Sequence, residues 1–166
     1  MFTAKQYVRP SSLEEAYELC LKKRNLVAGG MLWTKMYSKS YDTVIDLCDL
    51  GLDRIEETGD GFSVGAMVTL SALERHEGLN AYTNGALREA LVHIVGTQFR
   101  NSATVGGSVW GRFGFSDVIT ILLILDARVE LYQRGVMPLG EFMDLDRKER
   151  DILTGQAEDG IRDDRG

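Results

Sequence analysis

Two pairs of adjacent glycines are the residues of this chain best suited to chemistry. Gly29-Gly30 follows the apolar run Leu26-Val27-Ala28, and Gly106-Gly107 follows the β-favouring Thr104-Val105. Adjacent glycines allow positive φ and let a ligand come close to the backbone. Successive N–H groups in such a turn converge on an anion. Each pair is therefore a candidate phosphate site, with an ordinary tight turn as the alternative interpretation.

Neither pair belongs to a familiar phosphate-binding motif. A P-loop needs Lys and then Ser or Thr after its last glycine, but Ser108 and Val109 follow the second pair, and the pattern G-x-G-x-x-G is missing. A diphosphate needs several N–H donors, which two facing turns would supply. Together the pairs predict one nucleotide cofactor bridged by both turns, in a different kind of fold.

Other side chains with chemical potential are few. A carboxylate at Asp117, nine residues after Ser108, would accept hydrogen bonds from ribose hydroxyls or a ring N–H, or would cap a helix. Cys20 and Cys48 lack the spacing of a metal or redox motif, and Cys20 falls on the buried stripe of a predicted helix. We expect no metal site and no catalytic residue of the chain's own.

Composition limits the class of protein. The chain has 166 residues, a net charge of −6 and 44% hydrophobic residues, which suits one globular domain or two small lobes. The acidic balance argues against general nucleic-acid binding. No apolar run reaches the ~20 residues of a membrane helix, and the N-terminal segment lacks the apolar core of a signal peptide. We therefore expect a cytoplasmic protein without nucleic-acid partners or membrane insertion.

The pattern of elements indicates an α+β fold. Capping boxes at Ser12 with Glu15 and at Ser71 with Glu74 predict two helix starts, and Ser116 caps a further, wholly apolar helix. A short helix is expected just after Gly30. Strands and one hairpin turn are predicted at 2–8, 25–28, 43–47, 55–58, 62–66 and 127–133, with Gly59-Asp60-Gly61 as the turn.

These elements divide the chain into three predicted parts. An N-terminal α+β lobe covers residues 1–58, and a second α+β lobe covers 59–143. Residues 144–166 are rich in charge and poor in apolar side chains, which predicts a truncated or disordered tail, above all in its last ten residues. The two glycine pairs fall in different lobes, so a shared ligand would lie between them.

Four segments resemble the FAD-binding subunit of the molybdenum hydroxylases, a family that includes the flavin subunits or domains of xanthine dehydrogenase and aerobic carbon monoxide dehydrogenase. They are LVAGG at 26–30, TVIDL at 43–47, FSVGAMVTLSALE at 62–74 and GTQFRNSATVGGSV at 96–109. The resemblance covers about residues 2–142. It implies the two-lobed fold of the vanillyl-alcohol oxidase and CO dehydrogenase flavoproteins, with FAD between the lobes and its pyrophosphate on both glycine turns.

The resemblance also implies a set of binding residues. Ile94 takes the position of an apolar side chain against the flavin or adenine, and Asp117 matches the acidic residue of a Ser-Asp pair that contacts the cofactor. The two turns map onto Leu26, Val27, Ala28, Gly29, Gly30, Met31, Leu32 and Trp33, and onto Thr104, Val105, Gly106, Gly107 and Ser108.

In that family the protein binds and orients the flavin, and the chemistry belongs to the flavin. The resemblance therefore implies an electron-transfer subunit with two partners, an iron–sulfur subunit and a molybdopterin subunit. Electrons would arrive from the 2Fe-2S clusters of the first, which the second feeds. They would leave through FAD to NAD or another acceptor.

Departures from the family pattern support an alternative. Met31 and Leu32 replace a hydroxyl residue and a carboxylate, and Ser108 replaces the usual Asn. A C-terminal domain that helps to cover the flavin is missing, so we expect a truncated, frame-shifted or naturally short chain with weakened FAD affinity. The alternative is a degenerate member that acts as an assembly or scaffold piece. A third hypothesis is that a different nucleotide binds at the same glycines.

Overall fold

The structure is a computed structural model that describes residues 1–59 and 61–159. Asp60 of the predicted hairpin turn lies outside these residues, as do residues 160–166 of the predicted tail. Within the described part, the strands are β1 (Thr3–Val8), β2 (Asn25–Ala28), β3 (Ser40–Asp46), β4 (Ile55–Glu57), β5 (Gly61–Gly65), β6 (Arg128–Leu131), β7 (Gly135–Pro138) and β8 (Leu153–Asp159). The α-helices are α1 (Leu13–Cys20), α2 (Leu70–Arg75), α3 (Glu77–Tyr82), α4 (Ala86–Val92), α5 (Thr97–Ser102), α6 (Val105–Gly111), α7 (Asp117–Ile124) and α8 (Leu139–Asp144).

The N-terminal sheet has three parallel strands in the order β1-β3-β2. Helix α1 begins at the predicted cap, because the Ser12 hydroxyl accepts from the Glu15 N–H at 3.2 Å. The Glu15 carboxylate reaches back to the N–H of Ser11, one residue earlier than a standard capping box. Ala16 and Cys20 of α1 pack on Ile45 in a small core. Strand β2 ends at Ala28, so its carboxyl end leads directly into Gly29.

The second sheet has five antiparallel strands in the order β4-β5-β8-β6-β7. The prediction of an unstructured tail from residue 144 is wrong for β8, which lies at the centre of this sheet. Strand β8 pairs with β5 on one side and β6 on the other. Leu153 and Gln156 are buried. Hydrogen bonds from two neighbours stabilise a segment whose composition alone favours disorder.

The helices from α2 to α8 cover one face of this sheet and enclose the main core. The predicted capping box of Ser71 and Glu74 is wrong. Thr69 caps α2 by accepting from the Ala72 N–H at 3.1 Å, so Ser71 falls inside the helix and is buried. The Glu74 carboxylate is free for Arg100 on α5.

An antiparallel contact outside the sheets positions the second glycine pair. Val105 N–H donates to the Val68 carbonyl oxygen at 2.9 Å, and Gly106 N–H donates to that of Ala66 at 2.8 Å. A strand leading into a glycine turn is therefore the wrong prediction here. Thr104 caps α6, and Gly106-Gly107 lies in the first turn of that helix.

Across residues 1–59 and 61–159, no helix combines the length and the apolar character needed to cross a membrane.

Candidate cofactor cleft

A cleft of about 1050 Å³ separates the N-terminal sheet from the helices of the second lobe. Clefts of roughly 300–1,000 Å³ hold drug-sized ligands and cofactors. Every residue predicted for the site lines it except Val105, whose side chain is fully buried in the main core. The lining members are Leu26, Val27, Ala28, Gly29, Gly30, Met31, Leu32, Trp33, Ile94, Thr104, Gly106, Gly107, Ser108 and Asp117.

The two glycine segments touch each other directly. A Cβ on Gly29 would lie 2.6 Å from Thr104 Oγ1 and 3.4 Å from the Cα of Gly107. A Cβ on Gly30 would lie 1.9 Å from the carbonyl oxygen of Ser102. Real Cβ contacts are longer than this, so only glycine allows the loop after β2 to lie against α6. The predicted meeting of the two pairs is present in the structure.

The loop after β2 carries a run of unused backbone donors. Among the hydrogen bonds of the described residues, none is donated by the N–H groups of residues 29–33. The next N–H to find a partner is that of Lys35, which donates to the Met31 carbonyl oxygen. Unpaired backbone donors beside a cleft are favourable partners for an anion.

The second glycine pair does not form a comparable anion site. The Gly106 N–H donates to the Ala66 carbonyl oxygen. The Gly107 N–H donates to the Thr104 hydroxyl at 3.1 Å, and the Ser108 N–H donates to the Thr104 carbonyl oxygen. Neither glycine has positive φ. The prediction of two facing N–H turns is therefore wrong in its second half. Gly106 and Gly107 serve close packing, since a Cβ on Gly106 would lie 2.7 Å from Ala66 Cβ.

The residues after Gly30 show what the departures from the family pattern do. Met31 has φ of 60°, in the left-handed region that disfavours side chains. Leu32 packs against the main core. A 3-10 turn at Thr34–Met36 replaces the predicted short helix. The backbone at Met31 is thus strained, and Leu32 makes an apolar contact. The family pattern has a hydroxyl and a carboxylate at these two positions.

An aromatic cluster in the cleft was not predicted from the sequence. The Trp33 ring lies 6.3 Å from Phe99, 6.0 Å from Phe113 and 6.3 Å from Phe115, measured between centroids. Phe113 and Phe115 stack at 5.3 Å. Phe115 is 71% exposed. The alternation Phe113-Gly114-Phe115 beside the glycine motif is the sequence signal that could have indicated an apolar wall for a planar ring.

Polar side chains on α6 and α7 complete the wall. The Ser116 hydroxyl caps α7 by accepting from the Ile119 N–H, so Asp117 is not needed as the cap and its exposed carboxylate borders the cleft. Ser108 donates its hydroxyl to the Thr104 carbonyl oxygen at 2.9 Å. Asp117 is therefore available to a ligand, whereas the Ser108 hydroxyl is used within α6.

The cleft is lined mainly by positive charges, although the chain has a net negative charge. Basic side chains outnumber acidic ones along the lining: Lys23, Arg24, Lys39, Arg147, Lys148 and Arg150 against Asp117, Glu149 and Asp151. Arg150 donates to carbonyl oxygens at the end of α1, among them Cys20 and Lys23. Arg147 donates to the carbonyl oxygen of Arg112 at 2.8 Å. These guanidinium groups place positive charge beside the cleft, which favours an anionic ligand.

Two buried groups near the cleft have shifted pKa values. Burial, with a smaller contribution from Asp151, raises the pKa of the Cys20 thiol to about 11. Burial and the nearby Arg147 charge lower the pKa of the Arg112 guanidinium. Cys20 is thus a neutral packing residue, as the helical stripe predicted.

These features fit a dinucleotide. Free N–H donors at 29–33 suit a diphosphate, Gly29 and Gly30 let the loop that carries them lie against Ser102 and Thr104, and the aromatic wall suits a planar ring. Asp117 suits hydroxyl or ring N–H donors. The donor set of the cleft is therefore compatible with FAD, which would span the glycine loop and the aromatic cluster.

Comparison with known proteins gives one family and several relatives. Residues 2–155 match the model of the FAD binding domain in molybdopterin dehydrogenase. The chain is 32% identical over 128 residues to the uncharacterized protein YgfM of Escherichia coli, covering 75% of this chain and 48% of that protein. It is 30% identical over 132 residues to the medium subunit of nicotine 6-hydroxylase from Paenarthrobacter nicotinovorans, covering 76% and 46%.

Solved structures give the same fold. A chain of the CO dehydrogenase from Oligotropha carboxidovorans superposes with a TM-score of 0.80 at 25% identity, over 93% of this chain and 59% of that one. The chain spans about half the length of the curated relatives it matches. The α+β architecture predicted from the sequence is confirmed.

Proposed function

The chain belongs to the family of FAD-binding domains in molybdopterin dehydrogenases, and from that premise we propose that it binds FAD in the glycine cleft and acts as an electron-transfer module. One observation carries the proposal: a loop with free N–H groups lies against the glycines of α6, in a cleft lined by more basic than acidic side chains. Electrons would arrive from the 2Fe-2S clusters of a partner and leave to NAD or another acceptor.

Each part of the cleft has a role in this proposal. The N–H groups of residues 29–33 would hold the diphosphate, and Asp117 would accept from hydroxyl or ring N–H groups. Ile94 and the ring of Trp33 would border the planar parts of the cofactor. Bound FAD would supply the redox chemistry, while the chain's own residues bind it, orient it and exclude water.

The partners are part of the proposal too. The relative from Paenarthrobacter is named as the medium subunit of a hydroxylase. By analogy, this chain would work beside an iron–sulfur subunit and a molybdopterin subunit in the cytoplasm. The exposed aromatic wall, with Phe115 at 71% exposure, gives such an assembly an apolar surface to cover.

Binding is tested by adding FAD to the purified chain, desalting it and recording the flavin absorbance. Retained flavin is expected, and ADP should displace it, because both carry the diphosphate that the free N–H groups would bind. Riboflavin, which lacks a diphosphate, is the matched control and should not displace it. A chain that stays colourless and shows no thermal shift with FAD would contradict the proposal.

The second candidate function is a scaffold without cofactor, and the geometry at Met31 and Leu32 favours it. The backbone of Met31 is strained at φ of 60°, and the Leu32 side chain packs against the main core. The Met31→Thr and Leu32→Asp substitutions restore the family pattern. A large gain in FAD affinity would indicate degeneration, whereas unchanged affinity would show that backbone donors suffice. Met31→Thr alone restores the hydroxyl at the strained position and leaves the packing of Leu32 intact, so it distinguishes the effects of the two substitutions.

A further inference from the structure

A buried ion pair lies behind the wall of the cleft. Arg100 Nε lies 2.7 Å from Glu74 Oε2, and the two side chains are only 7% and 13% exposed. Arg100 is on α5 and Glu74 on α2. Burying two charges is unfavourable before their attraction is counted, and the best-attested use of such pairs is to fix one arrangement.

Arg100 also bonds a segment that lines the cleft. Its Nη1 donates to the Ile94 carbonyl oxygen at 3.0 Å. Ile94 belongs to the rim segment His93–Gly96, which joins α4 to α5 and contributes Ile94 and Val95 to the cleft wall. One guanidinium therefore connects helix α2 to the rim segment. Its planar shape serves two partners at once, which a single ammonium group does poorly.

The rim segment needs such support, because its backbone is strained. Val95 has φ of 49°, and its side chain is 77% exposed. A β-branched residue in the left-handed region is an outlier, and solvent exposure gives its side chain no packing to offset the strain. Further supports of the rim segment are the bonds from the His93 and Ile94 N–H groups to the Leu91 carbonyl and from Arg100 N–H to the Gly96 carbonyl.

We propose that Arg100, fixed by Glu74, is a positioning residue that holds Ile94 and the rim segment in the shape that receives the cofactor. This inference rests on the proposed binding of FAD. Ordering a loop at the moment of binding reduces affinity, and a loop held in advance avoids that cost. Release of the Ile94 carbonyl would let the strained turn at Val95 relax and would weaken FAD binding without dismantling the core.

Arg100→Lys separates positioning from stability. A lysine keeps the charge pair with Glu74 but gives up the second, directed bond to Ile94. The thermal midpoint should fall by only a few degrees, the effect of one hydrogen bond in a chain of this size. The rate of amide hydrogen exchange at Ile94 and the dissociation constant for FAD should each rise about tenfold, which is the effect of losing one charge-assisted hydrogen bond. Arg112→Lys is the matched control, since Arg112 is also buried and donates to a carbonyl, that of Leu145 at 2.6 Å.

The outcomes are distinct. Unchanged exchange at Ile94 in the Arg100→Lys chain would overturn the positioning role, as would a loss of FAD affinity that only follows a loss of thermal stability. If the unmodified chain binds no FAD, the proposed function fails, yet exchange at Ile94 still decides whether Arg100 holds the rim segment. Faster exchange at Ile94 in the Arg112→Lys control would also count against a specific role for Arg100.

Discussion

Gly30 lies so close to Ser102 that a Cβ on the glycine would be 1.9 Å from the serine carbonyl oxygen and 2.7 Å from its carbonyl carbon. Both of these atoms are backbone, so neither turns aside as a flexible side chain does. Gly30 has no positive φ. Close approach of two chain segments, and not an unusual backbone conformation, is what requires glycine at this position.

The first prediction concerns this contact. Gly30→Ala should lower the free energy of unfolding by about 1–3 kcal/mol, because an overpacked contact forces the backbone segments apart. FAD affinity should fall with it, since the loop carries the free N–H groups. Urea unfolding measures the first effect, and flavin retention measures the second.

A glycine in open space is the control for that substitution. Gly140 is in α8 and has no atom within 4 Å of an added Cβ. Gly140→Ala should raise the free energy of unfolding by about 0.5–1 kcal/mol, the usual gain of alanine over glycine in a helix. Equal stability of the two variants would contradict the close-contact explanation.

The second prediction concerns the strain at Val95. Val95→Asn should raise the free energy of unfolding by about 1 kcal/mol, because asparagine tolerates the left-handed region that valine does not. The same substitution at Val136, a half-exposed residue of strand β7, should be destabilising, since asparagine is disfavoured in strands. Urea midpoints of the two variants should therefore move in opposite directions.

The third prediction concerns a buried amide in the central strand. Gln156 is 2% exposed, and neither its nitrogen nor its oxygen has a partner among the described residues. Its partners on the two adjacent strands are Val64 and Val129, which both belong to the main core. Gln156→Met should raise the free energy of unfolding by about 1 kcal/mol, because it removes an unpaired polar group at similar size. A loss of stability instead would contradict the interpretation that the amide has no partner.

The fourth prediction concerns the pH dependence of the N-terminal sheet. The Tyr7 hydroxyl donates to Asp46. This hydrogen bond is the main cause that raises the pKa of Tyr7 to about 12. Burial opposes ionisation of Asp46, but the bonds from Tyr7 and from the Cys48 N–H outweigh it and lower the pKa of Asp46.

The signs of the two effects differ. A raised pKa at Tyr7 adds stability that is complete below its ordinary pKa of 10.0 and is lost as the pH rises through about 12. A lowered pKa at Asp46 adds stability above its ordinary pKa that is lost on acidification. Tyr7→Phe should therefore flatten the fall in urea midpoint on the alkaline side. An unchanged alkaline fall would show that Tyr7 is not its source.

Local signals in the sequence predicted the elements whose partners are close along the chain. Ser12 and Ser116 cap helices as expected, because capping involves residues three positions away. Strand β2 and the loop after it were also predicted. The α+β class and the meeting of the glycine pairs followed from these elements together with the family resemblance.

Features set by distant partners were not predicted. Thr104-Val105 has β-branched residues that favour a strand, but the bond from Val105 to Val68 and the cap at Thr104 make it the start of α6. Strand β8 lies in a charged stretch of the sequence, and its pairing with β5 and β6 determines its place in the sheet. The link from Arg100 to Glu74 likewise joins residues far apart in the chain. Propensity and periodicity carry no information on such pairs.

The central place of β8 has a consequence for synthesis on the ribosome. Strands β4 and β5 form one local hairpin, and β6 and β7 form another, but the two hairpins share no edge until β8 is inserted between them. Each hairpin emerges earlier with an unpaired edge, which is open to pairing with other chains. Vectorial synthesis thus delays closure of the sheet, and the nascent chain is most exposed to aggregation just before residues 153–159 leave the exit tunnel.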